Sequence, residues 1–366
     1  MTVGNALCGV PCFAKDAFTG SRHATEGVPY SAEMPANLTP QYKKAEEEYR
    51  RAQSPEDELR CLELMLREIP KHKGTDKLQA ELKAKISKAK QESETAKKSG
   101  KKGHHGPHIQ RQGAGRAIIL GGPNAGKSQL LAKLTRATPE IAPYPFTTRE
   151  PQPGMMQWED VQVQLIDTPP ITADVFDSNL LGLTRGSDLA LLMFDAGNDE
   201  GLDAFTPVLD QLSKTKTRLA KESYLDEEDV GLSFTQTFLV HNKIDLPGVD
   251  DRIALLKEFS PGLDFREFRI SAEHGAGLED LRTAIYQSLD VVRVYTKLPT
   301  KKEADFDKPF TLKRGGTLLE VAELVHRDMA TSFKYARVWG TAVLAPGTQM
   351  KGDYIIHDKD IVEIHA

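Results

Sequence analysis

The stretch GGPNAGKS at 121–128 has the spacing Gly-x-x-x-x-Gly-Lys-Ser, after an apolar run and ahead of a helical one. That arrangement cradles a polyphosphate. Small residues let successive backbone N–H groups wrap the α- and β-phosphates, and the start of a helix favours the negative charge. The candidate phosphate-binding set is Pro123, Asn124, Ala125, Gly126, Lys127, Ser128 and Gln129. Within it the Lys127 ammonium can reach the β- and γ-phosphates, and the Ser128 hydroxyl can bind Mg²⁺. A Gly-rich turn without a ligand would not need Lys-Ser at this position.

This motif asks for a nucleoside triphosphate without choosing the base. NKID at 242–245, just after the apolar run FLV, makes the choice. The Asp245 carboxylate can accept both the N1–H and the N2 amino donors of guanine, whereas adenine presents an acceptor at N1 and nothing at C2. Asn242 is placed to brace the base and phosphate loops, and the Lys243 stem to lie along the base. In ISAEHG, Ser271-Ala272 can offer a backbone N–H to guanine O6. NKID alone arises often by chance. Its place 115 residues beyond Lys127, with Ser-Ala following 28 residues after Lys243, makes the set specific.

Between these motifs YPFTT (144–148) supplies hydroxyls. Thr148, with Thr147 as the alternative, would reach Mg²⁺ and the γ-phosphate and order its loop when GTP is bound. The Thr pair is unremarkable by composition; its position, 21 residues after Lys127 and 19 before Asp167, is what fits. Asp167 ends VQVQLID and can hold Mg²⁺ through a water. In DTPPI (167–171) the residue three after the aspartate is Pro170, where a glycine would bring an N–H to the γ-phosphate. Proline has none. One such charge-assisted contact is worth about 1.5–3 kcal/mol, so the sequence predicts weakened discrimination of GTP from GDP, or switching carried mainly by Thr148.

These loops need a scaffold, and the pattern from Arg116 onward supplies one. AIILGG, MMQW, VQVQLID, LALLMFDA, TFLVHNK and FREFRIS read as strands separated by helical or loop stretches, as in an α/β, doubly wound sheet. MMQWEDVQVQLID reads as a hairpin, which puts one antiparallel strand on a parallel sheet. GLEDLRTAIYQSLDVV closes the unit as a helix. SKTKTRLAKESYLDEEDVGLS is a charged insertion expected on the surface.

Ahead of this unit three helix starts are marked by Thr39-Pro40, Ser54-Pro55 and Thr75-Asp76. In the second helix Leu59, Leu62, Leu64, Met65 and Ile69 form an apolar stripe. Residues 97–115 form a basic, Gly-rich linker. His104, His105 and His108 within it read as a solvated loop in preference to a metal cluster. Lys97, Lys98, Lys101, Lys102, Arg111 and Arg116, with Lys90, either contact RNA phosphates or simply keep the segment soluble. After the sheet domain a strand FTLK, a helix TLLEVAELVHRDMA and strands YARVWG and DIVEIHA make a third unit. The expected organisation is an extension without periodicity at 1–36, a helical region at 37–96, the linker at 97–115, a nucleotide-binding domain at 116–298 and a small domain at 299–366. Met34 can be read as an alternative start.

Composition agrees with a globular protein. The 366 residues carry a net charge of −5, which argues against a wholly basic nucleic-acid binder. Three cysteines are too few for a disulfide framework, and Cys8 and Cys12 lack the partners a zinc site needs. With no signal-peptide pattern and no membrane-length apolar run, a cytoplasmic location and no membrane partner are expected.

The order GGPNAGKS, YPFTT, DTPP, NKID, SA resembles a translation-factor-class GTPase, and YPFTT resembles the Obg and developmentally regulated GTP-binding (DRG) families. The tail from FTLKRGG to DKDIVEIHA is similar to a TGS domain, a small β-grasp unit, and FKYARVWG is close to its DRG form. The resemblance covers about 116–366. Only the short charged insertion occupies the span between the third and fourth motifs, where DRG proteins usually hold an additional domain. The resemblance implies a P-loop GTPase domain followed by a β-grasp domain, GTP/GDP and Mg²⁺ as ligands, and slow hydrolysis, with Ile171 standing where Ras-like enzymes place a water-orienting glutamine. It implies that Asn124 helps place K⁺ beside the phosphates; the alternative is that Asn124 only stabilises its loop. Lys127, Thr148 and Asn124 are then the catalytic candidates. It also implies the ribosome or another structured RNA as partner, with the TGS unit able equally to bind protein. The competing function is a guanine-nucleotide-binding scaffold that no longer turns over.

Overall fold

In the computed structural model the described residues are 38–52, 55–71, 75–98, 109–135, 150–174, 178–215, 217–225, 232–300, 303–343 and 345–366. The chain opens with three helices, α1 (Pro40–Arg51), α2 (Pro55–Glu68) and α3 (Asp76–Lys98). The Thr39 hydroxyl accepts from the Tyr42 N–H at 3.1 Å and so caps α1. Tyr42, Met65 and Leu82, one from each helix, meet at the centre of their shared core. The stripe of α2 behaves as its spacing requires: Leu62, Met65 and Ile69 are buried and Leu59 and Leu64 half-buried, with Cys61 added to the buried set.

The central domain holds β1 (Arg116–Gly121), α4 (Lys127–Leu134), β2 (Gln152–Trp158), β3 (Val161–Asp167), α5 (Ser178–Arg185), β4 (Leu189–Asp195) and α6 (Glu200–Ser213). It continues through β5 (Thr217–Ala220), β6 (Tyr224–Leu225), β7 (Ser233–Asn242), α7 (Val249–Phe259), β8 (Arg266–Arg269) and α8 (Leu278–Ser288). The strand order is β2-β3-β1-β4-β7, with only β2 antiparallel along that path. Alternation along the strands sorts the two faces. Ala117, Ile119, Leu191 and Met193 pack with α4 and α8 on one side, and Ile118, Leu120, Leu192 and Phe194 with α5, α6 and α7 on the other. A sheet covered twice explains why LALLMF is apolar throughout and buried throughout.

The charged insertion is partly structural. Thr217–Ala220 runs parallel to Ser233–Gln236 of β7, and Tyr224 stacks on Phe234 at 4.3 Å, so the segment extends the sheet where a surface loop was expected. The basic run is likewise drawn inward. Arg116 is buried in β1, donating to Gln164 Oε1 at 2.8 Å and to the Ile109 carbonyl at 2.7 Å, and burial lowers it to about 10. Arg111 pairs with Asp188, and Lys90 with Glu63 at 2.9 Å. Arg116 and Arg111 thus have partners inside the protein, whereas Lys90 pairs with Glu63 at the surface. The histidines of the linker, together with Lys101 and Lys102, lie outside the described residues.

A second sheet, of order β10-β9-β13-β11-β12, is built from β9 (Val291–Thr296), β10 (Asp305–Lys313), β11 (Tyr335–Trp339), β12 (Thr348–Met350) and β13 (Asp360–His365). β9 lies ahead of the division drawn at 298/299, and the VV that reads as the end of a helix begins it. The reading TLLEVAELVHRDMA as one helix is corrected: α9 (Leu318–Val325) stops at His326, whose extended backbone (φ −165°) starts the short α10 (Arg327–Thr331). His326 Nδ1 accepts from the Asp328 N–H at 3.2 Å, so the ring caps the new helix where a continuing residue would have been needed.

Arg293 joins this sheet to the central domain. Its guanidinium reaches both oxygens of Asp358, and also Glu159 and Asp160 in the two-residue turn between β2 and β3. On the opposite flank Arg185 reaches the Ala52 carbonyl and Glu58 and lies over the Tyr49 ring, docking the helices onto α5.

Candidate nucleotide-binding site

The loop from Gly122 to Gly126 joins β1 to α4, with Asn124 exposed at its crest in the left-handed region (φ 56°) and Pro123 half-buried beside it. Gly126 has φ 91°, and a Cβ there would stand 2.1 Å from Asn242 Nδ2. Glycine is therefore required twice over, by conformation and by the close approach of the asparagine. Gln129, on the first turn of α4, is half-buried next to the loop.

Lys127 is buried and turned back on its own loop, donating to the carbonyls of Gly121 at 3.1 Å and Gly122 at 2.8 Å. Burial pulls the ammonium down to about 8, against the opposing charge of Asp167. Ser128 Oγ donates to Asp167 Oδ2 at 2.5 Å, which brings together two of the three expected metal-side residues. The third, Thr148, lies outside the described residues, as does Thr147. Among the described residues no group of three or more His, Cys, Asp or Glu side chains gathers to hold a metal. Mg²⁺ beside a nucleotide needs fewer, since phosphates and waters complete its shell. A hydroxyl and a buried carboxylate in contact are hard oxygen donors of the kind it takes.

Asn242 ends β7 and makes both expected braces. Its Nδ2 donates to the Ala125 carbonyl at 2.9 Å, and its Oδ1 accepts from the Ala272 N–H at 3.0 Å. One buried side chain thereby ties the phosphate loop to the Ser-Ala loop. Lys243 follows in the left-handed region (φ 64°), its ammonium 2.6 Å from Asp195 Oδ2. Asp245 lies in the turn after it, and its carboxyl is held below the usual range first by the Ser271 hydroxyl and then by His274.

Ile171 is not at the site. Its side chain is buried among Leu180, Leu183 and Phe205, and its N–H donates to the Gly121 carbonyl at 3.2 Å. Two neighbours escaped the sequence reading. Asp195 ends an apolar strand just as Asp167 does, a signal that was available. His274 sits inside the quoted ISAEHG, but only the fold brings it to Asp245.

A β–loop–α phosphate cradle and a guanine-type loop set, both at the carboxyl ends of a doubly wound sheet, define a P-loop GTPase. Residues 116–243 match the family of 50S ribosome-binding GTPases, and residues 292–366 match the TGS domain. An uncharacterized GTP-binding protein of Methanocaldococcus jannaschii is 28% identical, with 84% of this chain and 92% of that one covered. Developmentally-regulated G-protein 1 of Arabidopsis thaliana is 27% identical, with 84% and 90% covered. The YchF GTPase of Schizosaccharomyces pombe shares the fold, with a TM-score of 0.50 over 71% of this chain and all of that one at 12% identity. The chain is a GTP-hydrolysing enzyme by class, with a GTPase domain and a C-terminal TGS domain, homologous to the DRG and Obg-like GTP-binding proteins. Among the described residues no helix is long and apolar enough to cross a membrane.

Proposed function

We propose that the protein is a regulatory GTPase that binds GTP or GDP with Mg²⁺, hydrolyses GTP slowly, and reports its nucleotide state to a ribosome or another structured RNA. The observation that carries this reading is the pair of hydrogen bonds made by the Asn242 side chain, which fix the phosphate loop against the Ser-Ala loop as one ligand spanning both would require. In this reading backbone groups of 123–126 with Lys127 and Gln129 hold the phosphates. Asp245 takes the guanine edge, with Ala272 at O6 and Lys243 along the base. Ser128, Asp167 and Thr148 hold Mg²⁺, which when bound neutralises charge on the β- and γ-phosphates. Asn124, exposed at the loop crest, is the residue assigned to K⁺ in this reading.

Slow turnover follows from Ile171: an apolar side chain buried in the core orients no water. Support for a ribosomal partner comes from the description of the matched family. Charge adds less than the sequence suggested, because Arg116 and Arg111 are engaged internally and Lys90 is paired with Glu63. The TGS unit is the other contact surface, for RNA or for protein.

Titration of the purified chain with fluorescent GDP and ADP tests the site, and a lack of guanine preference would overturn it. Phosphate release should be slow in Mg²⁺, faster in K⁺ than in Na⁺, and faster again with ribosomes. Co-sedimentation with ribosomal subunits should differ between GTP and GDP.

One observation favours the scaffold as a second reading. Pro170 has no N–H and that of Ile171 is engaged by Gly121, so neither residue has a free donor for a γ-phosphate. Background phosphate release under every condition would select it. In either case Pro170→Gly should raise the GTP-to-GDP affinity ratio roughly tenfold, the low end of one charge-assisted contact, and an unchanged ratio would refute the role given to Pro170.

A further inference from the structure

Asp245 stands in the turn that follows β7, and the loop from Ser271 to Ala276 faces it. That loop is internally fixed: the Gly275 N–H donates to the Ser271 carbonyl at 2.8 Å, and the Ser271 N–H to the Ala276 carbonyl at 3.0 Å. The His274 N–H donates to Ser271 Oγ at 3.1 Å, which sets where the imidazole hangs. Its Nδ1 is 3.3 Å from Ser271 Oγ and 3.6 Å from Asp245 Oδ2. The ring is largely exposed, so protons exchange with solvent freely, and Asp245 beside it is also an exposed residue.

We propose that His274 is a proton-operated competitor for the carboxylate that selects guanine. The inference rests on the assignment of Asp245 to the purine edge. Guanine presents two donors and needs both oxygens of Asp245. The protonated imidazole is a cation whose Nδ1 stands 3.6 Å from Oδ2, and its charge draws that oxygen away from the base; the neutral ring has no such pull. Protonation therefore stabilises the empty site against the filled one, and guanine affinity falls with pH. His274 is thus a positioning residue, acting on the base only through Asp245. The charged groups beside the pair are Lys243, already 2.6 Å from Asp195, and Glu273, which precedes the histidine in the loop.

An exposed ion pair of this kind is worth at most a few-fold in an equilibrium. The terminal phosphate of GDP also titrates near the same range, so the useful quantity is a ratio between proteins. GDP dissociation constants would be measured for the wild type and His274→Ala from pH 8 to pH 5.5, with circular dichroism confirming that both remain folded. The expected result is a wild-type-to-variant ratio that rises about threefold as the pH falls. His274→Lys, a permanent cation, should bind GDP more weakly than His274→Ala across the whole range. A ratio independent of pH, or a lysine variant equal to the alanine variant, overturns the proposal. Equal affinity for GDP and ADP at pH 8 in the wild type would instead show that the guanine site itself is misassigned.

Discussion

Lys127 and Arg293 are both buried cations, 6% and 5% exposed, but their surroundings differ in kind. The lysine donates to two peptide carbonyls, with Asp167 the one carboxylate acting on it, and burial wins: the ammonium falls to about 8. The guanidinium is gripped first by Asp358 and then by Glu159 and Asp160, and these raise it above its ordinary value despite burial. The first charge is under-compensated and the second over-compensated. A cation held among neutral dipoles gains when a polyanion arrives, whereas one already matched by three carboxylates can only lose. The comparison separates a group kept ready for a ligand from one that fastens β9 to the turn between β2 and β3.

Lys127→Met should have the larger effect, and its two readouts should move in opposite directions. Nucleotide affinity should fall by at least about 100-fold, since charge-assisted contacts contribute about 1.5–3 kcal/mol each and two phosphates are reached. The empty protein should be no less stable at pH 7, and more stable if the burial penalty dominates, because a poorly compensated charge has been removed. Titration and thermal unfolding measure the two, and a destabilised empty protein would break the distinction drawn above.

Arg293→Met should do the reverse. Removing one member of a buried ion network costs about 3–5 kcal/mol when every partner is buried. Here Glu159 is 52% and Asp358 37% exposed, so water compensates them in part and a loss of roughly 1–3 kcal/mol is expected. Nucleotide affinity should hold. Limited proteolysis would read the junction directly: the variant should be cut faster between the two sheets, and equal rates would show that the hydrogen bond from the Tyr295 hydroxyl to Asp160 suffices without the arginine.

The same contrast explains what could be read from the chain in advance. The phosphate loop and NKID are legible because phosphate imposes donors, and the guanine edge a carboxylate acceptor, on a few consecutive residues. The buried strands are legible because double coverage makes LALLMF apolar without interruption. Arg116 and Arg293 are not legible. An arginine at the end of a basic linker or inside an apolar run carries no mark that its partners, Gln164 or Asp358, lie 48 or 65 residues away. β9 hides for a related reason: VVRVYT follows a helix of the same apolar character, and only pairing with β13 and β10 shows which sheet it joins. The break at His326 is local but depends on a ring nitrogen replacing a backbone contact, which helical periodicity does not register.

His241 tests the comparison at an intermediate point, since it is fully buried on β7 with one carboxylate for a partner. Its Nε2 lies 3.3 Å from Glu267 and its ring meets Phe194 edge-on. Burial lowers it below its ordinary 6.5, and Glu267 opposes that without prevailing, while Lys257 and Arg269 add to the lowering. The folded protein therefore refuses a proton that the unfolded chain accepts near 6.5. Where the unfolded chain binds more protons, stability rises with pH, so the His241 contribution is complete above 6.5 and declines as pH falls toward the lowered folded value. Denaturant midpoints of the wild type should drop from pH 7.5 to pH 5.5, and those of His241→Gln should drop less. Parallel slopes would mean that Glu267 does compensate the ring, and that a single carboxylate is enough to place a buried cation with Arg293 instead of with Lys127.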